Sequence, residues 1–275
     1  MPRSGPISLS LPSFSGATRR IILANLAVFF ALAILHWISA PFADLLHYHL
    51  LFEPRAVAHG EIWQLLTYSF INDGILNIFF AMLTLWFIGY LLEDARGSRW
   101  LTELYAASVI GGALIAGAIS YTHIFHLRPD VAGAGAWAGI FGVMIAIAML
   151  FGDQEFYLWF ILRLKAKYMV AIFILIAVAI LLKEADTFNA LLQLAGALVG
   201  YLFVKFAPRR GMASGASERY FGVRNSYYRW KRRRAARKFQ VYMRKQNREV
   251  HFDQEGRYID PDELRKDPND NRWMN

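Results

Sequence analysis

The sequence predicts an all-α membrane protein, in which a bundle of six transmembrane helices is followed by a basic cytoplasmic tail. Of its 275 residues, 56% are hydrophobic and only 19% are charged, and the mean hydropathy is +0.29. Soluble domains carry roughly 25% charged residues. Residues 207–275 hold 18 Lys/Arg and nine Asp/Glu, whereas residues 1–206 hold 12 of each sign. The chain therefore divides into a neutral apolar body and a basic polar tail.

Charge-free stretches predict the helices of the body, because a helix needs about 20 mainly apolar residues to cross a bilayer. Only helices and closed barrels satisfy backbone polar groups in lipid, and these stretches are too long for barrel strands. The fifth stretch is short, but Lys167 and Lys183 at its edges can extend to the headgroups. The predicted helices are 21–43, 74–92, 104–127, 131–152, 168–182 and 187–204, within a transmembrane domain of residues 21–206.

Basic residues in the connections predict the orientation, because cytoplasmic loops carry an excess of Lys/Arg. One side has only Arg55, Arg128 and Lys183. The N-terminal segment 1–20 and the tail lie on the other side, so both termini are predicted to be cytoplasmic. We expect a bacterial plasma membrane, with an organellar inner membrane as the alternative because segment 1–20 contains Ser and Arg but no acid. The basic side holds Arg3, Arg19, Arg20, Arg96, Arg99, Arg163, Lys165, Lys167, Lys205 and the tail.

A long outer loop, residues 41–73, mixes apolar and aromatic residues with polar ones. This composition favours a loop that lies in the membrane interface or partly enters the bilayer. His47 and His49, with His59 or Glu61, have a spacing that could hold a metal. Histidine is also common at membrane interfaces, so we predict no metal site and no cofactor.

Glycines, rather than ionisable residues, characterise the interior of the predicted helices. Proton relays and ion pathways need ionisable side chains in the membrane, so a pump, an ion-coupled transporter or a charged-pore channel is disfavoured. A carrier of hydrophobic substrates stays open. Small residues four apart let helix backbones approach closely. The predicted helix-packing residues are Gly135, Gly139, Gly142, Gly196 and Gly200.

Five pieces of sequence occur in a characteristic order over most of residues 20–206. They are 61–70 (EIWQLLTYSF, with Glu61, Trp63 and Tyr68 as the first-loop motif), 83–89 (LTLWFIG), Glu93, 135–142 (GAWAGIFG) and 193–201 (QLAGALVGY). Together with the helix order and the long outer loop, they resemble the rhomboid family of six-helix intramembrane serine proteases. The resemblance implies a rhomboid-like six-helix bundle.

The resemblance also implies where the catalytic groups would lie. The family uses a serine on the fourth helix as nucleophile, a histidine on the sixth as base, and a His-x-x-x-Asn pair on the second helix near the oxyanion. A gapless placement puts Trp137 at the serine, Gln193 at the histidine, and Asn77 and Ala81 at the pair. Tryptophan has no nucleophilic atom, glutamine cannot titrate, and alanine cannot donate to an oxyanion. The resemblance therefore implies a pseudoprotease without catalytic residues, which binds transmembrane or membrane-associated client proteins.

Two alternatives remain open at this point. The first is an active protease with relocated residues, for which Ser120 and His123 have helical i,i+3 spacing. Residues 123–182 contain no serine, so the fourth helix has no serine nucleophile in any register. The second alternative is a membrane-anchored scaffold that acts through its tail. The prediction leans towards a protein that is not an enzyme.

The tail, residues 207–275, is predicted to have four parts. Residues 207–224 resemble a flexible linker, about 225–248 a basic amphipathic helix, 249–262 a small hairpin turning at Glu255-Gly256, and 263–275 a disordered end.

The predicted partner of the tail helix is an anionic lipid surface. The second-ranked interpretation of this helix is that its basic residues are an excess of the positive-inside signal, and the third is that it binds nucleic acid. The predicted lipid-surface residues are Trp230, Lys231, Arg232, Arg233, Arg234, Arg237 and Lys238.

Overall fold

The computed structural model describes residues 14–124, 127–158, 162–183, 186–207, 212–245, 250–253 and 257–259. The chain divides into two compact units, Met1–Met212 and Ala213–Asn275. In the first unit the elements are, in order, α1 (Gly16–Ile38), α2 (Ala40–Leu50), α3 (Pro54–Ala58), α4 (Gln64–Thr67), α5 (Ile75–Arg96), α6 (Ser98–Ser120), α7 (Trp137–Phe151), β1 (Glu155–Leu158), β2 (Leu162–Lys165), α8 (Ala166–Lys183) and α9 (Thr187–Phe206).

The predicted all-α membrane bundle is confirmed. Five of the described helices, α1, α5, α6, α8 and α9, are long and apolar enough to cross a membrane. The helix α7 is apolar but spans only 15 residues.

Three of these helices differ from their predicted bounds by five or more residues at one end or both. The first was predicted over 21–43, but α1 is Gly16–Ile38. The third was predicted over 104–127, but α6 is Ser98–Ser120, with Arg99 and Glu103 paired at 3.2 Å on its first turns. The fourth was predicted over 131–152, but α7 begins only at Trp137, and residues 131–136 are not helical. Gly135 adopts φ +110°, a left-handed conformation that a helix cannot contain.

The first helix begins at Gly16, inside the predicted N-terminal segment 1–20, of which residues 1–13 lie outside the described part. The first amides of a helix have no partner within it. Glu93 of α5 accepts hydrogen bonds from the amides of Ala17 (2.6 Å) and Thr18 (3.0 Å). Its carboxylate also accepts the hydroxyls of Thr18 and Ser98. A negative charge at a helix N-terminus is favourable, so Glu93 fixes the start of α1 against α5.

The outer loop 41–73 is largely helical, containing α2, α3, α4 and the 3₁₀ turn Tyr68–Phe70. The loop is anchored through Tyr68, whose buried hydroxyl donates to the carbonyl oxygen of Val109 at 2.8 Å. Its outward side chains are largely apolar, which favours the predicted position in the membrane interface. The exposed ones include Phe42, Leu45, Leu46, Ile62, Trp63 and Leu66.

Close approach of three helices forms the centre of the bundle. A methyl group added to Gly196 would collide with the backbone oxygen of Ala138, and one on Gly200 would lie 2.5 Å from the Cα of Gly142. The ring of Tyr105 occupies the space beside Gly139. Four of the five predicted packing glycines therefore lie at helix contacts. Gly135 does not, because its nearest neighbour would be 3.7 Å away and it precedes α7; its role is conformational.

A short antiparallel hairpin, β1 with β2, joins α7 to α8 and was not predicted. Before it, the carboxylate of Asp153 accepts a 2.7 Å hydrogen bond from Nζ of Lys167. This hydrogen bond and the charge of Lys167 hold the pKa of Asp153 below its usual value.

The second unit contains α10 (Met212–Lys245), β3 (His251–Phe252) and β4 (Tyr258–Ile259). The predicted linker 207–224 is wrong from Met212 onwards, because that segment is helical. After Pro208 it contains no proline, and its Ala, Met, Glu and Arg residues favour helix over the two glycines. The predicted hairpin is confirmed by the pairs His251–Ile259 and Phe252–Tyr258. Its turn, the helix end 246–248 and residues 263–275 lie outside the described residues.

Candidate functional site

The segment that enters α7 is held by four consecutive backbone amides, each bonded to a different residue. Three of the acceptors come from the outer loop and one from α9. The outer loop and α9 therefore set the position of the first residue of α7, Trp137. The bonds are Gly133 to the Phe52 carbonyl (2.9 Å), Ala134 to Asn189 Oδ1 (3.0 Å), Gly135 to the Tyr68 carbonyl (2.9 Å) and Ala136 to Asn72 Oδ1 (3.3 Å).

Trp137 connects three helices. Its indole Nε1 donates a 2.6 Å hydrogen bond to Oδ1 of Asn77 on α5. Its ring stacks on Phe173 of α8, with centroids 6.4 Å apart and planes 27° apart, and meets Phe141 edge-on. Two of the four residues at the implied catalytic positions are therefore in direct contact.

The other two implied positions lie apart from this contact. Ala81, one turn after Asn77, is fully buried and offers no polar atom. Gln193 is half-buried on α9, one turn before Gly196. Among the described residues no hydrogen bond joins Gln193 to Trp137 or Asn77. An indole and two carboxamides supply hydrogen bonds and an aromatic surface, but neither a nucleophile nor a group that titrates near neutral pH.

The candidate relocated dyad is also separated. Ser120 is fully buried and its hydroxyl donates to the Gly117 carbonyl at 2.7 Å. His123 is exposed and has the left-handed backbone angle φ 57°, so it has left the helical path that i,i+3 spacing assumes. The two side chains make no hydrogen bond with each other in the described structure.

Two residues of the first-loop motif, Glu61 and Trp63, belong to a polar network around Gln64, a fully buried residue that sequence reasoning did not single out, whereas the third, Tyr68, bonds to Val109 instead. Gln64 accepts the amide of Glu53 at 2.9 Å and donates to Glu61 at 2.8 Å. Glu61 lies 3.1 Å from Nδ1 of His49, and Trp63 donates from Nε1 to the His49 carbonyl at 3.0 Å. The sequence could have indicated Gln64, because it is a glutamine within an apolar stretch and a buried carboxamide needs hydrogen-bond partners.

The loop histidines face different partners. His47 lies 3.5 Å from Asp73, His49 contacts Glu61, and His59 Nδ1 lies 2.7 Å from the Arg55 carbonyl. In the part of the chain that the structure describes, no group of three or more His, Asp or Glu residues is placed to hold a metal.

The predicted lipid-surface residues all lie on α10. All seven are exposed; Trp230, Arg233, Arg234, Arg237 and Lys238 line one open cavity on the helix surface, and Lys231 and Arg232 lie outside it.

Comparison with known proteins gives a consistent set of relatives. Residues 20–235 match the family model described as eukaryotic integral membrane protein (DUF1751). The chain is 30% identical over 97 residues to rhomboid protease GluP of Bacillus subtilis, which covers 35% of this chain and 18% of that protein. It is 27% identical over 170 residues to RHOMBOID-like protein 1 of Arabidopsis thaliana (60% and 38%). Rhomboid-like protein 19 of the same plant is 24% identical over 153 residues (54% and 49%). In each pair, less than half of the relative is matched.

Proposed function

The chain belongs to the eukaryotic integral membrane protein family DUF1751 and is a rhomboid-like multi-pass membrane protein; from this premise we propose that it binds transmembrane client proteins without cleaving them. One observation carries the proposal: Trp137, which the rhomboid resemblance places at the position of the nucleophile, donates its indole hydrogen to Asn77. The position that would hold a reactive hydroxyl is filled by an aromatic ring with partners on α5 and α8.

The residue types at the positions implied by the resemblance also support the proposal. Acyl transfer needs a nucleophile, a base and donors aimed at the oxyanion. Trp137, Gln193 and Ala81 supply none of these at the implied positions, while the glycines that pack the bundle are retained. The backbone amides of Gly135 and Ala136, just before Trp137, are already hydrogen-bonded.

The surface beside Asn77 suits an apolar transmembrane segment. Ile75, Leu76 and Phe79 on the first turns of α5 expose 74%, 72% and 56% of their surfaces. In a membrane, helix association depends on packing and on scattered polar contacts rather than on the hydrophobic effect. A client helix could replace lipid at this face and reach the half-buried Asn77.

The proposal includes the topology and the domains predicted from the sequence. Both termini lie in the cytoplasm, the bundle of residues 21–206 acts as the client-binding domain, and the tail of residues 207–275 lies at the cytoplasmic surface. The membrane is proposed to be a bacterial plasma membrane. The description of the matched family as eukaryotic favours the organellar alternative, and the relative from Bacillus subtilis favours the bacterial one.

Labelling with a fluorophosphonate probe tests the absence of protease activity. The detergent-purified chain, its Ser120→Ala variant and an active rhomboid would be labelled side by side. We expect label on the active rhomboid only. Label on this chain that disappears in Ser120→Ala would establish a protease with relocated residues and overturn the proposal.

Site-specific photocrosslinking tests client binding. A photoreactive amino acid at Leu76 should crosslink to transmembrane proteins, and the same residue at Leu114, a similarly exposed position on α6, serves as control. Deleting residues 225–275 should leave the Leu76 crosslinks in place. Loss of every crosslink on deletion would instead favour the scaffold that acts through its tail.

A further inference from the structure

A basic cavity on α10 is the feature of the second unit that the proposed function does not use. It has a volume of about 680 Å³. Five cationic side chains and one tryptophan line it, and no acidic side chain does so among the described residues. The lining residues are Arg229, Trp230, Arg233, Arg234, Arg237 and Lys238.

The spacing of these residues concentrates their charge on one face of the helix. Arg229, Arg233 and Arg237 form one row four residues apart, and Trp230 begins a second row beside it. Side chains four apart on a helix are neighbours, and like charges at this spacing repel one another. An anion bound among these five cations would relieve that repulsion.

Arg229 adds an observation that points to a ligand. Its Nε atom is buried and has no hydrogen-bond partner within the described residues. Leaving a buried donor without an acceptor is unfavourable, and such donors in native proteins usually have a partner. An acceptor oxygen supplied from outside the chain would satisfy it.

Trp230, the aromatic residue of the cavity, contacts two neighbouring side chains of the same helix. Tyr227, one turn before Trp230, stacks with it at 6.2 Å and 30°, and the Arg234 guanidinium, one turn after, lies 5.4 Å from the ring centroid. These two contacts cover only part of the indole, because Trp230 stays 55% exposed. Proteins that bind single-stranded nucleic acid stack bases on open aromatic faces. Nucleic acid is therefore a competing ligand that the test has to include.

We propose that this cavity binds the headgroup of a membrane lipid that carries two or more phosphate groups. Guanidinium groups form two parallel hydrogen bonds with a phosphate, and four arginines in one cavity exceed what a single phosphate or carboxylate needs. A lipid is the favoured source of the phosphates because only five residues separate α10 from α9, a helix apolar enough to cross the membrane. Such a short connection keeps the local concentration of headgroups high.

The test measures binding of a fluorescent short-chain phosphatidylinositol bisphosphate to the full chain in neutral detergent, by fluorescence anisotropy. The variant Arg233→Gln/Arg237→Gln removes two cations from the cavity. The control Lys231→Gln/Arg232→Gln removes two cations from the same helix but outside the cavity. At about 1 kcal/mol for each cation, the cavity variant should weaken binding about 30-fold. The control should change it less than about threefold, and short-chain phosphatidylserine should bind far more weakly.

Each other outcome would overturn the proposal. Equal losses in the two double variants would mean diffuse attraction without a built site. Equal affinity for phosphatidylserine would remove the requirement for clustered phosphates. Binding of inositol hexakisphosphate is also measured for the chain embedded in nanodiscs that contain phosphatidylinositol bisphosphate. If it binds and the lipid does not reduce this binding, the ligand is a soluble polyphosphate. Tighter binding of a single-stranded oligonucleotide, dependent on Trp230, would identify nucleic acid.

Discussion

Asn25 and Asn72 lie 47 residues apart in the sequence and are joined by a 2.9 Å hydrogen bond from Nδ2 of Asn72 to Oδ1 of Asn25. Both side chains are buried. Asn25 donates to the Ile21 carbonyl in its own helix at 3.0 Å, and Asn72 accepts the amide of Ala136 at 3.3 Å. The two carboxamides thus connect α1 to the residue before Trp137, so the geometry of the candidate site depends on the first helix.

Replacing Asn72 should therefore destabilise the bundle. In Asn72→Ala, the Asn25 oxygen and the Ala136 amide lose their partners in a buried setting, which should cost about 1–2 kcal/mol. Unfolding in detergent, followed by circular dichroism during an SDS titration, would measure the change. Asn225→Ala, the same substitution at an exposed position on α10, is the control. A loss no larger than that of the control would remove Asn72 from the network.

The contact between Trp137 and Asn77 can be measured with a double-mutant cycle. Trp137→Phe keeps an aromatic ring against Phe173 and removes only the indole donor, and Asn77→Ala removes the acceptor. If the hydrogen bond stabilises the bundle, the free energies of unfolding should be non-additive by about 1 kcal/mol. Additivity within about 0.3 kcal/mol would show that the bond contributes nothing and would weaken the view of Trp137 as a structural replacement for the nucleophile.

For Gly200→Ala, it is informative whether the free energy of unfolding rises or falls. Replacing a helical glycine with alanine gains up to about 1 kcal/mol of helix propensity. In Gly200→Ala the new methyl group would lie 2.5 Å from the Cα of Gly142, and overpacking of this kind costs about 1–3 kcal/mol. We expect net destabilisation in the same SDS titration, whereas Leu198→Ala, half-exposed on the same helix, should have a smaller effect. A stabilised Gly200→Ala protein would contradict the close approach of α7 and α9.

The fold was predictable because the membrane imposes a length and a composition on each helix. The errors arose where local chemistry overrides that rule. The pairing of Arg99 with Glu103 makes a charged turn acceptable at the start of α6, and the φ of Gly135 delays the start of α7. The segment from Met212 combines helix-favouring and helix-breaking residues, so its composition alone did not decide between linker and helix.

The candidate site was predictable in its residues but not in its contacts. The rhomboid resemblance indicated Trp137 and Asn77, yet the bond between them joins positions 60 residues apart and depends on side-chain orientation. Asn72 was missed because a single polar residue at the end of a loop carries no periodic or spacing signal. Asn25 offered a hint, since a carboxamide within an apolar helix needs a partner.

Removing the Gln64 side chain should loosen the outer loop. Gln64→Ala deletes the acceptor of the Glu53 amide and a donor to Glu61 in a fully buried setting. If the free energy of local opening falls by about 1.4 kcal/mol, the open population rises about tenfold, and cleavage by trypsin after the exposed Arg55 should accelerate by that factor. Trp63→Phe, which loses only the half-exposed bond to the His49 carbonyl, should leave the cleavage rate within about twofold. Equal rates in the two variants would mean that the apolar anchors of the loop, rather than the network around Gln64, hold its structure.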